Sequence, residues 1–241
     1  MFFATLFSSV FILPAITTFG VTVGAMVMGI VLGFVGALAA LSRWAVVRMV
    51  AQAYVGLFRG VPALVQIIFW YDALAEITNN AINLPALAAG VIALGMNEGA
   101  YMAEIIRAGL ISVDPGQRDA ARALGMTVPM TLRRIVVPQA LRIIIPPTGN
   151  QVISMLKTTS LLFTISVHEL FGRGADIYSQ NFKYFEVLCV VSIWYLVLAA
   201  MFTAVQQAIE RRFMIGAPVA EIKPPGVFAR LFGFNMPGTK P

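Results

Sequence analysis

A lysine stands inside a long apolar stretch at Lys157. Asn150, Ser154 and Lys157 are spaced four and three residues apart, so a helix would place them on one face together with Leu161. If this stretch crosses a membrane, a lysine within it costs about 2.5–3.5 kcal/mol unless it is paired or faces water. The pattern is typical of a pathway or gate for a polar solute. A lysine that reaches an interface or forms a structural pair is the alternative.

Glu98 is the second such residue. It lies between Gly95 and Gly99, about a dozen residues from an arginine-rich segment, and a helical rise of about 1.5 Å per residue puts it near mid-membrane. A carboxylate there can bind an ammonium group or another cationic group of a solute. It can equally neutralise Lys157 in the same chain, and both interpretations stay open.

Other chemistries are excluded by what the chain lacks. One cysteine, Cys189, and one histidine, His168, give neither a disulfide framework, nor a Cys-based zinc site, nor a Ser-His-Asp triad. We therefore expect no catalytic residues and no metal site. The chain has no Gly-x-x-x-x-Gly-Lys phosphate loop, so we expect no ATP binding by that device. Its net charge of +6 is accounted for by the loops described below rather than by nucleic-acid binding.

The elements that carry these residues are membrane helices. Apolar residues make up 59% of the 241 residues, charged residues only 12%, and the mean hydropathy is +0.84. Since a transmembrane helix needs about 20 apolar residues, the chain has room for five or six. We predict an all-α membrane protein with five spans, at residues 16–41, 54–77, 82–110, 143–165 and 185–209. Pro146 and Pro147 are expected to open the fourth.

The basic residues set the orientation. Fourteen of the 17 lysines and arginines lie in the loops after spans one and three and in the segment after span five, which predicts that this side is cytoplasmic. The N-terminus is then outside, with residues 1–14 as an interfacial or extracytoplasmic segment rather than a cleaved signal. Residues 15–213 form the membrane domain, and residues 214–241, rich in Pro and Gly, form a flexible cytoplasmic tail.

The loop between spans three and four, residues 114–139, has the marks of folded structure. Asp114 suits a helix cap and Pro115 a first turn, Gly125 suits the left-handed position that ends a helix, and Pro129 can begin another. We predict two short helices joined by a Gly turn. They form a docking element for a cytoplasmic partner or, alternatively, lie on the anionic leaflet.

Three local patterns have two interpretations each. In span one, the pairs Gly20/Gly24 and Gly29/Gly33 allow close helix approach, either within the chain or to another subunit. Arg59, where the second helix begins, belongs to the pathway or is a positive-inside anchor. The outer segment 167–183 is of mixed charge, which suits contact with a solute-binding protein but also a solvated loop.

Taken together, these segments resemble a known family. The motif Asp119-Ala120-Ala121, Gly125 and Pro138-Gln139 is similar to the EAA loop of binding-protein-dependent ABC importer permeases, with Asp119 where Glu is usual. The polar amino acid branch (histidine, glutamine, glutamate and arginine importers) also matches at Phe58–Pro62 and Asn97–Ile105, and further along the chain at Pro146-Pro147, Asn150 and Lys157–Leu161. The resemblance covers about residues 16–213.

The resemblance implies a type I ABC importer permease fold with a cytoplasmic coupling helix. Its implied ATPase-coupling residues are Gln117, Asp119, Ala120, Ala121, Gly125, Met126 and Pro138. Its implied substrate, pathway and gate residues are Arg59, Asn97, Glu98, Tyr101, Asn150, Ser154, Lys157, Thr158 and Ser160.

The implied assembly sits in the bacterial inner (plasma) membrane as a multi-pass protein. It holds a second permease subunit, identical or different, two ATP-binding subunits at the cytoplasmic loop, and an extracytoplasmic solute-binding protein. Polar amino acids are the implied substrate, and ATP and Mg²⁺ belong to the ATPase, so this chain needs no cofactor of its own. An ion-coupled secondary transporter or channel subunit is the alternative function, with Glu98 and Lys157 as coupling groups. A structural scaffold is a third.

Overall fold

The structure is a computed structural model that describes residues 9–214, and this part of the chain is helical without β-strands, as predicted. Its helices are α1 (Ile12–Ala40, preceded by a 3-10 turn at Ser9–Phe11), α2 (Ala45–Gly60), α3 (Ala63–Ile77), α4 (Ala86–Ile111), α5 (Pro115–Ala123), α6 (Val128–Thr131), α7 (Val137–Thr158, continued by a 3-10 helix at Thr159–Ile165), α8 (Leu170–Asn181) and α9 (Tyr184–Met214).

Within residues 9–214, two helices are long and apolar enough to cross a membrane by themselves, at Ser9–Ala40 and Tyr184–Phe213. Helices α2 and α3 pass the same test as a pair, bent by 104° at the break between them. Helices α4 and α7 have 26 and 22 residues but carry the ionisable residues on which the predicted site depends. The count of five spans therefore stays a prediction.

Helices α1 and α4 pack closely because glycines on α1 leave room for the α4 backbone. A Cβ added at Gly33 would lie 2.8 Å from the carbonyl carbon of Met102 and 2.9 Å from the nitrogen of Ala103. One added at Gly29 would lie 2.7 Å from Cγ of Glu98. These two glycines of the predicted small-residue pattern thus serve packing within the chain.

We expect Gly33→Ala to lower the unfolding temperature of the purified protein in detergent. The methyl group meets backbone atoms that cannot move aside, at a cost of about 1–3 kcal/mol, which corresponds to a shift of about 3–10 °C. Gly20→Ala is the matched control, since a Cβ there has no neighbour within 4 Å among the described residues. Equal unfolding temperatures for the two variants would contradict this account of the packing.

Two apolar clusters hold the rest of the bundle. One joins α1, α3, α4 and α7 with the 3-10 helix, and includes Ile67, Leu94 and Leu162. The other joins the start of α1 to α7, α8 and α9, and includes Phe11, which is fully buried. The first helix begins at Ile12, about four residues earlier than predicted, and Phe11 just before it belongs to this core. Residues 1–8 and 215–241, to which most of the predicted N-terminal segment and tail belong, lie outside the described residues.

Three further boundaries differ from the prediction. The second span is not one helix over residues 54–77, because Pro62 stands at the break between α2 and α3. The fourth begins at Val137, so Pro146 and Pro147 lie inside α7 rather than opening it. The outer segment contains a helix, α8, whose first turn is capped by Glu169 accepting a hydrogen bond from the Gly172 N–H.

Candidate functional site

A cavity of about 470 Å³ lies where the break between α2 and α3 meets α4 and α7. Its lining residues are Arg59, Gly60, Val61, Pro62, Ala63, Asn97, Glu98, Tyr101, Gln151, Ser154, Met155 and Thr158. They include six of the nine predicted pathway residues, contributed by three separate parts of the chain. The lining is largely polar, in contrast to the apolar clusters around it, so the cavity suits a small polar solute.

The break between α2 and α3 is stabilised by side-chain amides. In a continuous helix the Phe58 carbonyl would accept from the backbone N–H of residue 62, but residue 62 is a proline and has none. Asn97 Nδ2 donates to this carbonyl at 2.7 Å and Gln66 Nε2 at 2.9 Å. Gln66 Nε2 also donates to the Val61 carbonyl at 2.8 Å. Asn97 thus both lines the cavity and holds its wall in place.

We expect Gln66→Leu to destabilise the protein, because the partly buried Val61 carbonyl then loses its side-chain donor. An unsatisfied buried carbonyl costs about 1–3 kcal/mol, so the unfolding temperature should fall by about 3–10 °C. Gln52→Leu on the exposed side of α2 is the control, for which we expect no comparable change. If the two variants unfold at the same temperature, Gln66 does not hold this corner.

Glu98 is the buried ionisable residue of the cavity. Its residue is 4% exposed, and among the described residues no group donates a hydrogen bond to its Oε1 atom. A buried carboxylate oxygen without a donor is costly, so Glu98 is an unusual residue for the interior of a helix bundle. Gly29 makes room for the side chain, since the Glu98 Cβ and Cγ lie where a side chain at position 29 would begin.

Arg59 supplies the opposite charge. Its guanidinium carbon lies 5.3 Å from the centre of the Tyr101 ring, a cation–π arrangement that holds the arginine at the edge of the cavity. No salt bridge joins Arg59 to Glu98, although both line the cavity. The nearby Glu104 pairs with Arg107 at 2.9 Å, the helix-surface ion pair that a three-residue spacing favours.

Three predicted pathway residues lie outside this cavity: Asn150, Lys157 and Ser160. Asn150, Ser154 and Lys157 are exposed along one side of α7, as their spacing predicts. No ion pair joins Glu98 to Lys157 in the structure, so the alternative in which Glu98 neutralises Lys157 stays a prediction without support from it. Glu98 is buried behind α7, whereas Lys157 is exposed.

The connecting segment between α4 and α7 contains α5, the first of the two predicted short helices. The second is not separate, because α6 continues through a π-helix at Leu132–Val136 into α7. Asp114 Oδ1 accepts from the Gly116 N–H at 2.6 Å and so caps α5, and Gly125 has a φ of +74° at the turn after it. Apolar side chains are exposed here, with Leu124 82% exposed and Val128 63% exposed. An exposed apolar edge on a structured segment is typical of a docking surface.

Opposite this segment, Glu169 ties α8 to α1 and α9. Its Oε2 atom accepts from the Tyr195 hydroxyl at 2.5 Å and from Thr18 Oγ1 at 3.4 Å. Burial raises the pKa of the Glu169 carboxyl, against the hydrogen bonds from Tyr195 and the Gly172 N–H. Nearby, His168 Nδ1 lies 2.8 Å from Asp176 Oδ2, and Arg173 Nη1 lies 3.8 Å from the same oxygen.

Some of these residues were missing from the predicted site. Gln151 neighbours Asn150 but points to the cavity, and Gln66 is a polar residue in an apolar run. A polar side chain in a predicted span is the signal that identifies both, whereas the assignment of Met155 and Ala63 needs the three-dimensional packing.

Comparison with known proteins identifies the family to which the chain is similar. The profile of the family described as "Binding-protein-dependent transport system inner membrane component" matches residues 29–215, more than half of the chain. The match includes the cavity and the connecting segment.

Individual relatives are similar over most of their length. The chain is 42% identical over 214 residues to the "Arginine transport system permease protein ArgU" of Corynebacterium glutamicum, covering 84% of this chain and 68% of that one. It is 35% identical over 192 residues to the "Glutamine transport system permease protein GlnP" of Escherichia coli K12, covering 80% and 85%. A solved structure described as "Crystal structure of an amino acid ABC transporter with histidines" matches with a TM-score of 0.77 and 38% identity, covering 84% and 94%.

Proposed function

The chain belongs to the family of binding-protein-dependent transport system inner membrane components, and from this premise we propose that it carries polar amino acids through the cavity between α2, α4 and α7. It is the permease subunit of an ATP-driven ABC importer. The observation that carries the proposal is a small polar cavity that holds a carboxylate and a guanidinium without an ion pair between them.

The two charges match the two ends of an amino acid. Glu98 is placed to accept hydrogen bonds from the α-ammonium group, and Arg59 to bind the α-carboxylate. Charge-assisted hydrogen bonds are about twice as strong as neutral ones, and Arg binds carboxylates in a bidentate manner. The Ser154 and Thr158 side of the cavity is then left for the substrate side chain. The relatives named for arginine and glutamine transport agree with a polar amino acid as the substrate class.

Part of the pathway lies on the exposed face of α7. Asn150, Ser154 and Lys157 follow one another along this face. Lipid tails cannot satisfy such groups, so within a membrane they must face protein or water. We infer that this face lines a path shared with a second permease subunit, and that Lys157 and Ser160 lie along it.

The proposed topology keeps five spans, formed by α1, the bent pair α2–α3, α4, α7 and α9. The N-terminus is outside and α5 and α6 are cytoplasmic, in agreement with the arginines near both ends of the connecting segment. The chain is an inner membrane component. The exposed ion cluster around Asp176 on α8 then faces a solute-binding protein.

The energy comes from a separate subunit. We infer that an ATPase binds α5 and the turn at Gly125, with one ATPase below each of the two permease subunits. ATP and Mg²⁺ are bound there. Closure of the ATPases would bring the two α5 helices together and open the cavity outward, and their separation would release the amino acid inside.

Equilibrium binding of labelled amino acids to the purified permease–ATPase complex, without the solute-binding protein, tests the cavity assignment. We expect binding of polar amino acids and a loss of at least about tenfold in affinity for either the α-methyl ester or the deaminated acid, each of which lacks one charge. Equal affinity for both analogues and the parent amino acid would contradict the assignment of Glu98 and Arg59.

A further inference from the structure

Helix α5 is hydrogen-bonded to both helices that carry the cavity. Arg118 Nη2 donates to the Leu110 carbonyl at the end of α4, at 2.7 Å. Gln139 Nε2, near the start of α7, donates to Gln117 Oε1 on α5 at 2.8 Å. The side-chain oxygen of Gln117, a residue assigned to ATPase coupling by resemblance, is therefore already bonded within this chain.

Arg118 donates a hydrogen bond to a carbonyl at the C-terminal end of α4. Leu110 is one of the last four residues of α4, whose carbonyls have no partner within the helix. A cation at this end also interacts favourably with the helix dipole. The Arg118 Nε atom is buried without an acceptor among the described residues, so the side chain lies within the fold instead of reaching into solvent.

An apolar contact lies beneath these two bonds. Val113, Val136 and Ala140 form a buried cluster with Ile144, and Ala121 of α5 is 1% exposed. A Cβ added at Gly109 of α4 would lie 3.2 Å from the Ala140 carbonyl oxygen, so α4 and α7 also approach closely here. The end of α4 and the start of α7 are therefore packed together, and α5 is attached to them by the two hydrogen bonds.

The same two helices bring most of the polar side chains to the cavity. Helix α4 contributes Asn97, Glu98 and Tyr101, and α7 contributes Ser154 and Thr158. Glu98 is twelve residues before Leu110, a distance of about 18 Å along the helix. Helices α4 and α7 therefore connect the segment around α5 to the cavity.

We propose that Arg118 and the Gln117–Gln139 hydrogen bond are positioning links that transmit the displacement of α5 to α4 and α7, and so to the cavity. The proposal rests on the proposed function, in which the ATPase binds α5. It assigns to these residues a role in coupling ATP hydrolysis to transport rather than in binding the ATPase or the amino acid.

The test is the number of amino acid molecules imported per ATP hydrolysed, measured in proteoliposomes with the permease, the ATPase and the binding protein. For Arg118→Leu we expect the ATPase to co-purify as in the unaltered complex and to hydrolyse ATP, while this ratio falls by about fivefold or more. Arg118→Lys should recover most of the ratio, because an ammonium group can still donate to the Leu110 carbonyl.

The glutamine pair provides an independent readout. Gln117→Leu and Gln139→Leu should each lower the ratio by about twofold or more, and the double variant should be no worse than the poorer single one, because all three remove the same bond. Arg48→Leu is the matched control: Arg48 also donates to backbone carbonyls after a helix, those of Ser42 and Arg43, but does not bond to α5. It should leave the ratio unchanged.

An unchanged ratio in Arg118→Leu overturns the proposal, and so does loss of the ATPase from this variant, which would make Arg118 a docking residue. Additive effects of the two glutamine variants overturn the second link. Failure of the proposed function is distinguishable, because then the unaltered complex itself would show no ATP-dependent import.

Discussion

Glu98→Gln is expected to weaken binding of the transported amino acid by about 10- to 100-fold, the value of a hydrogen bond to a charged group. The substitution keeps the shape of the side chain but removes its charge, so the α-ammonium group loses its counter-charge. Stability should not fall, because the Oε1 atom of Glu98 has no donor within the described residues. The measurement is equilibrium binding to the purified permease–ATPase complex.

A substrate analogue separates this effect from a general disturbance of the cavity. The deaminated acid lacks the ammonium group, so its affinity should be the same for the Glu98→Gln variant and the unaltered protein. Glu186→Gln is the control variant, since Glu186 lies at the start of α9, 49% exposed, beside Lys183. If Glu98→Gln binds the amino acid with unchanged affinity, Glu98 does not contact the substrate.

Gly125→Arg and Asp119→Lys should reduce co-purification of the ATPase to background. Among the described residues no atom lies within 4 Å of a Cβ added at Gly125, and the Asp119 side chain is 74% exposed, so each substitution places a cation on an exposed surface. The positive φ of Gly125 strains an arginine there, and the strain is confined to the turn. A bulky or reversed charge at a docking surface costs several kcal/mol when it meets an unsuitable partner.

The matched control for the turn is Gly125→Asn, because asparagine tolerates the left-handed conformation and adds no charge. It should retain the ATPase. Gel filtration of the permease alone should be unchanged for all three variants. Full retention of the ATPase by both Gly125→Arg and Asp119→Lys would show that the ATPase does not bind this surface.

Much of the fold could be predicted because helices that cross a membrane consist of long apolar runs, which are visible in the sequence. The capped helices of the connecting segment were also predictable, since caps at Asp114 and Gly125 depend on neighbouring residues alone. The bend at Pro62 was not, because apolar residues continue on both sides of it and only the donors Gln66 and Asn97 make the bend stable. Those donors lie 31 residues apart along the chain, and their convergence is a tertiary contact.

For the cavity, too, the residue types could be predicted from the sequence, but their arrangement in space could not. The residue types of Glu98, Asn97 and Ser154 identified them as polar residues in apolar surroundings. Which polar residues of α7 line the cavity, and which lie on its exposed face, depends on how α7 is rotated against α4. That rotation places Gln151 at the cavity and leaves Asn150 and Lys157 outside, a distinction that spacing along one helix cannot make.

The central claim is that ATP hydrolysis drives amino acid import through this chain. The most direct test reconstitutes the permease with its ATPase in liposomes and measures ATP hydrolysis with a panel of amino acids, with and without the solute-binding protein. We predict that one or two polar amino acids stimulate hydrolysis, and only when the binding protein is present. No stimulation by any amino acid, together with uptake driven by a proton or sodium gradient, would contradict the claim and favour an ion-coupled transporter.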